Sequence, residues 1–222
     1  MLCMFDELDV VADTERRNAS LNMAIDEALL ESATKPTLRF YGWKRPSLSF
    51  GYFVCYDDAA REGGSRDLVR RWTGGGIVLH GNDLTYSLTI PASCRFFSLT
   101  PGAVYSSVHQ GIRDALWEEG KRALIATSAR PKISEACFAN AVVADVLLGE
   151  NKVAGAAQRR TRAGLLQQGS IQVPQLSAAF AENFARALCP ANQIRNFSPD
   201  LVGRAEEIEE SKYATGKWLR RR

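Results

Sequence analysis

Cys137 and, in the turn GENKVAG further along, Lys152 have the side-chain types for nucleophilic chemistry. A free cysteine titrates near about pH 8.5, so only a few per cent is thiolate at neutral pH. A cation beside it raises that fraction by direct charge pairing, and Lys152 can supply one. The competing reading of Cys137 is a small apolar core residue.

A second candidate is the run GGGIVLH, which opens with Gly74, Gly75 and Gly76 just after Arg70, Arg71 and Trp72. It has neither the glycine spacing of a dinucleotide fingerprint nor the Lys-Ser/Thr of a P-loop. Backbone without Cβ atoms lets an elongated ligand lie directly against it, and its N–H groups can turn towards a carbonyl or phosphate. Arg71 and His80 line the same opening if IVLH and LTYSLTI pair as a hairpin turning at Gly81-Asn82. The alternative is a glycine-rich turn or bulge. A third candidate is GAAQRRTRAGLLQQGSI, read as a hairpin in which Gly155, Ala156 and Ala157 allow close approach. Its polar Gln158, Gln167 and Gln168 also fit an edge hairpin with one wet face.

The elements that must position these groups follow from periodicity. NASLNMAIDEALLESA spaces Leu21, Ala24, Ile25, Ala28 and Leu29 as one helical stripe behind an Asn18/Ser20 cap, and Pro36 stops it. β-type runs at 38–43 and 48–53 flank Pro46, a short polar helix or turn spans 57–64, and DLVRRW leads into the glycines. Thr100 caps and Pro101 opens a helix with Val104, Val108, Ile112 and Leu116 on one side, which leaves His109 on its flank with no role assigned. A loop over 128–140 carries Cys137. Strand-like runs at 142–148, 152–159 and 165–173 precede helical patterns at 177–188 and from 198 to about 212. The order predicts an α+β fold of mixed, largely antiparallel sheets with packed helices.

Composition narrows the function classes. The 222 residues are 45% apolar and 24% charged, ordinary for a globular chain with a real core. A net charge of +3 gives nucleic-acid binding little support, and charged residues interrupt every apolar run before membrane-spanning length. Five cysteines without a framework suit a reducing compartment, and MLCMFDELDV does not resemble a signal peptide, so the expected location is the cytoplasm. Cys3, Cys55, Cys94 and Cys189 read as incidental, and no metal-ligand spacing occurs. Basic residues gather at Arg70–Arg71, at Arg159, Arg160 and Arg162, and from Lys217 to Arg222. These patches either steer an acidic partner or are solvated faces and a frayed tail.

Taken in order, LNMAIDEALLE, LRFYGWKRPSLSFGYF, RRWTGGGIVLHGNDLTYSL and NKVAGAAQRR…LLQQGSI resemble the lipoate–protein ligase and octanoyltransferase family, relatives of biotin–protein ligase. The resemblance covers most of the chain and implies a single catalytic domain over 1–222 with little room for an accessory C-terminal domain. It makes the glycine run the wall of an acyl-chain tunnel. It also assigns substrate contacts to Arg71, Thr73, Gly74, Gly75, Gly76, His80, Gly155 and Ala156. Cys137 in ACF, fifteen positions before Lys152, is similar to the arrangement in the Gram-positive type of octanoyltransferase. That type commonly reads Gln-His-Gly-Ser where this chain has Gln167-Gln168-Gly169-Ser170, so a role for that histidine does not carry over.

The resemblance implies that an octanoyl (or lipoyl) chain passes from acyl carrier protein through a Cys137 thioester to a lysine. The acceptor would be a lipoyl-domain protein or glycine-cleavage H protein. Lys152 stabilises the thiolate, His80 either orients the loop or substrate or is structural, and amides near Cys137 or Gly155 hold the oxyanion. Such a transferase needs no cofactor. The alternative, a ligase acting through lipoyl-AMP, needs ATP and Mg.

Overall fold

The computed structural model describes residues 4–129 and 141–221. The first half runs β1 (Leu8–Arg17), α1 (Ala19–Ser32), β2 (Thr37–Trp43), β3 (Ser47–Phe50), α2 (Tyr56–Gly63), β4 (Asp67–Arg70), β5 (Ile77–His80), β6 (Leu84–Pro91) and α3 (Pro101–Glu118). The second half runs β7 (Ala123–Ile125), β8 (Val146–Leu148), β9 (Asn151–Arg160), β10 (Gly164–Ile171), α4 (Phe180–Leu188), β11 (Asn192–Ile194), α5 (Pro199–Ile208) and α6 (Gly216–Leu219).

One sheet has the order β11-β1-β2-β6-β10-β9-β8-β7, and a second has the order β4-β3-β5. The β11–β1, β1–β2 and β3–β4 pairs are parallel, and the remaining pairs are antiparallel. This is the mixed, largely antiparallel α+β arrangement expected from the pattern. Strands β1, β7 and β11 lie outside the predicted runs.

Both major helices start as their caps dictate. The Asn18 side chain accepts from the Leu21 N–H, and the Thr100 hydroxyl accepts from the Ala103 N–H with Pro101 in the first turn. Val104, Val108, Ile112 and Leu116 are fully buried against the large sheet. Each such side chain contributes about 1.5–3 kcal/mol. No helix among the described residues is long and apolar enough to cross a membrane.

Several expectations need correction. IVLH and LTYSLTI do not form a hairpin: β5 pairs with β3 in the small sheet, and β6 lies between β2 and β10 in the large one. The Asp83 carboxylate takes the place of ladder bonds at the crossing, accepting from the Gly81 N–H and from His80. The QQ-bearing strand is no edge, because β10 is paired on both sides and buried throughout. Residues 142–145 form a turn rather than strand, and β3 stops at Phe50 where Gly51 meets the glycine loop. His109 is fully buried because the turn preceding β8 packs over it. Arg70 and Arg71 are buried too, so that basic pair is no solvated face.

Candidate active site

The glycine run is held by its neighbours' backbone and by one guanidinium. Arg71 Nη2 donates to the carbonyls of Gly74 (3.1 Å) and Gly76 (2.9 Å), and Nη1 donates to Ser49 Oγ at 2.7 Å. Gly51 N–H donates to the Gly76 carbonyl and Tyr52 N–H to the Thr73 carbonyl. Gly75 has φ +80°, the left-handed region that glycine enters without strain. A Cβ on Gly51 would stand 1.9 Å from the Gly75 carbonyl oxygen, so this close approach requires glycine there as well. A Cβ on Gly74 would meet nothing within 4 Å.

Across the cavity stands Lys152, on β9. Its Nζ lies 2.9 Å from Asp145 Oδ2, with the two side chains 8% and 0% exposed. Asp145 also accepts from the Tyr105 hydroxyl (2.5 Å) and the Val142 N–H (2.7 Å). The Tyr105 oxygen in turn accepts from the Ala156 N–H, so that amide is already engaged. Burial and the adjacent Asp145 push the Tyr105 phenol far up, which keeps its proton on the hydroxyl. Ala144 adopts φ +71°, uncommon for a residue with a Cβ, and its carbonyl accepts from His109 Nδ1 at 2.7 Å. Burial brings His109 down to about 4, so at neutral pH it is an uncharged donor that fixes this bend. Gly155 makes room for the lysine: a Cβ there would stand 2.5 Å from Lys152 Cε and 2.7 Å from Nζ.

His80 is wired into the wall. Its Nδ1 lies 2.7 Å from Asp83 Oδ2 and its Nε2 lies 2.6 Å from Ser49 Oγ, with the ring stacked on Trp43 at 4.0 Å. Burial lowers its pKa despite Asp83, which fits a neutral ring donating to Asp83 and accepting from Ser49. Burial alone would raise Asp83, but hydrogen bonds from His80, Ser170 and the Gly81 amide bring it down to about 2. Both ring nitrogens have partners, so His80 is built to orient the wall.

A buried polar chain ties the glycine loop to α1. Thr73 Oγ1 donates to Gln168 Oε1 at 2.8 Å, and Gln168 Nε2 donates to Asp26 Oδ2 at 2.7 Å. Asp26 also accepts from Arg39 (2.8 Å), Ser87 (2.6 Å) and Tyr41 (3.0 Å), and Arg39 reaches on to Asp13 at 2.8 Å. Gln168 thus joins the loop to the helix.

One mostly apolar cavity, with an empty volume of about 470 Å³, brings together Arg71, Gly75, His80, Lys152, Gly155 and Ala156. Met23, Tyr41, Trp43, Val78 and Gly169 complete much of its wall. Thr73 sits behind it on Gln168, while Gly74 and Gly76 face Arg71 through their carbonyls. Cys137 lies outside the described residues. Val142, five positions after it in sequence, donates to the carboxylate that holds Lys152. Asp145, Tyr105, Ser49 and Asp26 also support this site, although the expected substrate contacts do not include them. The visible signal was a charged or polar residue inside an otherwise apolar run: Asp26 in NMAIDEALL, Asp145 in VVADVLL and Ser49 in LSF.

The fold is similar to that of lipoate–protein ligase catalytic domains. Protein Ta0514 of T. acidophilum with bound lipoic acid superposes with a TM-score of 0.76 at 20% identity, covering 97% of this chain and 99% of that one. A bi-partite lipoate protein ligase of Thermoplasma acidophilum, solved with its E2 lipoyl domain, gives 0.71 at 20% identity over 97% and 96%. In sequence, residues 18–206 match the lipoyl protein ligase A/B catalytic domain, and the chain belongs to that family. Octanoyltransferase LipM of Symbiobacterium thermophilum is 38% identical over 178 residues, 72% of this chain and 63% of the relative. The chain therefore spans a little under two thirds of that relative's length.

Proposed function

We propose that this chain is the catalytic domain of an octanoyltransferase that carries the acyl group on Cys137. The supporting observation is the shared cavity: a strand-borne lysine, oriented by Asp145 over Gly155, faces a glycine loop in a mostly apolar pocket. Likeness to LipM octanoyltransferases supports the choice of transfer over ATP-dependent ligation.

In the first step the Cys137 thiolate attacks the thioester carbonyl of octanoyl-acyl carrier protein. A carbon–sulfur bond to Cys137 forms, the oxyanion collapses, and the carrier thiolate leaves and takes a proton. Exchange of one thioester for another is nearly isoenergetic, so this route needs neither ATP nor Mg. In the second step the neutral amine of an acceptor lysine attacks the acyl-Cys137 carbonyl. The amide forms, the Cys137 thiolate leaves, and the amine proton passes to it or to water.

Lys152 stabilises negative charge on sulfur or on the carbonyl oxygen. An ammonium has three N–H donors, and Asp145 fixes their direction by taking one. Arg71, Ser49, His80 and Asp83 hold the tunnel wall. The acceptor is a lipoyl-domain protein or glycine-cleavage H protein, as the pairing of a similar fold with an E2 lipoyl domain suggests. The enzyme acts in the cytoplasm.

Intact-mass measurement after mixing with octanoyl-acyl carrier protein tests the reading. It requires one octanoyl group, mapped to Cys137 and released by hydroxylamine. Unmodified protein that instead consumes ATP with free lipoate would make it a ligase. Because Cys55 is exposed, the map must separate the two thiols.

A further inference from the structure

Arg70 and Arg71 are adjacent yet serve opposite faces of the small sheet. Ser49 and Phe50 alternate across β3. Arg71 bonds Ser49 on the face of the candidate active site, whereas the Arg70 guanidinium stacks on Phe50 at 4.7 Å. Arg70 is 1% exposed. Its Nε donates to the Leu219 carbonyl (3.1 Å), and Nη1 donates to the carbonyls of Tyr52 (2.9 Å) and Val54 (2.8 Å). Its Nη2 is buried with no acceptor.

That orphan donor belongs to a residue lining an open cavity with an empty volume of about 1180 Å³, together with Arg220 and Arg221. Arg220 lies over the Tyr56 ring at 5.0 Å, and Arg221 lies over Tyr52 at 4.5 Å and Trp218 at 5.3 Å. Among the described residues none of the three arginines has a carboxylate partner. One carboxylate, the exposed Asp57, lines the same cavity and pairs with none of them. Burial and, after it, the nearby Arg221 lower the Arg70 pKa, against a smaller opposing effect of Cys55 and Tyr52. Phe53, 85% exposed, adds a ring at the rim, edge-on to Tyr52 at 5.0 Å.

A buried guanidinium N–H without an acceptor costs about 1–3 kcal/mol, which a bound oxyanion would recover. Planar guanidinium forks match phosphate oxygens in pairs, and ring faces preorganise Arg220 and Arg221 by holding their planes. We propose that Arg70, Arg220 and Arg221 form a binding site for a phosphoryl group, separate from the acyl cavity. The group arrives either as a small free phosphate or as the phosphate ester of a thiol-bearing arm.

Calorimetric titration of the whole chain tests this with inorganic phosphate, phosphopantetheine and phosphate-free pantetheine, at constant ionic strength. Saturable phosphate binding in the wild type, weakened about tenfold or more in Arg220→Gln/Arg221→Gln, is the expected result. Phosphopantetheine binding more tightly than phosphate, with pantetheine silent, identifies the arm as the source. Equal affinities identify the free ion. Both variant positions are on the surface, and their melting temperature verifies the fold, so loss of binding is readable without touching Arg70. Absence of saturable phosphate binding in the wild type overturns the proposal. Equal binding by the double variant does the same.

Discussion

Gly155→Ala is a small, directed push on the group that matters most. The new methyl would stand 2.5 Å from Lys152 Cε and 2.7 Å from Nζ, whereas ordinary contact begins at 3.4 Å, so the lysine end must retreat by roughly 0.7–0.9 Å. The obstacle is the far end of a flexible side chain, so β9 and its pairing with β10 survive. The 2.9 Å contact with Asp145 does not survive intact. Complete loss of a buried ion pair costs about 3–5 kcal/mol, but Lys152 can swing its ammonium towards water, leaving an expected cost of about 1–2 kcal/mol. That is a fall of about 2–8 °C in Tm for a chain of this size. If Lys152 faces the reacting carbonyl as proposed, a shift of this order should slow transfer by about 100-fold. The assay is single-turnover octanoyl transfer beside a thermal melt, with Gly74→Ala, whose methyl has open space, as the stability control. If Gly155→Ala transfers within about twofold of wild type and melts at the same temperature, the placement of Lys152 carries no catalytic weight.

Three further outcomes follow from the same contacts. Gly51→Ala drives a Cβ to 1.9 Å from the Gly75 carbonyl oxygen, a backbone atom that cannot step aside, and should cost more than about 3 kcal/mol in denaturant unfolding. In a double-mutant cycle, Thr73→Val and Gln168→Leu should couple by about 1 kcal/mol, since each leaves the other without its partner. His109 titrates at about 4 folded against an ordinary value of 6.5, so between those pH values the unfolded chain binds the extra proton and stability falls on acidification. The loss approaches about 3 kcal/mol below the lower value. His109→Gln, facing Tyr105, Asp145 and Lys152, should flatten the Tm profile between about pH 7 and 5, with His80 supplying the remaining slope in the same direction.

What the sequence makes legible is local. Caps at Asn18 and Thr100 and the apolar spacing of α1 and α3 place those helices to within a residue or two. The glycine run, Lys152 and Gly155 stand out because their residue types are unusual in their surroundings, and Gly75, Lys152 and Gly155 share a cavity. Sheet membership is not local. β5 pairs with β3 rather than β6, with Asp83 bonding His80 and the Gly81 amide between the two sheets, a tertiary arrangement that alternation alone cannot encode. Lys152 suggested a cation for a thiol, but its carboxylate partner comes from a turn read as strand, so Asp145 was invisible as a site residue. His109 looked like a flank residue because helical periodicity ignores a turn packing from elsewhere in the chain.

The proposed function requires the Lys152 ammonium to activate acyl transfer through Cys137. Its most direct test is the rate of Cys137 acylation by octanoyl-acyl carrier protein, followed by intact mass in a Cys55→Ser background, with and without Lys152→Ala. The expected result is a hydroxylamine-labile octanoyl group on Cys137 that forms about 100-fold more slowly once the ammonium is gone. Acylation of Cys137 at the same rate in both proteins, or no acylation of Cys137 at all, would contradict it.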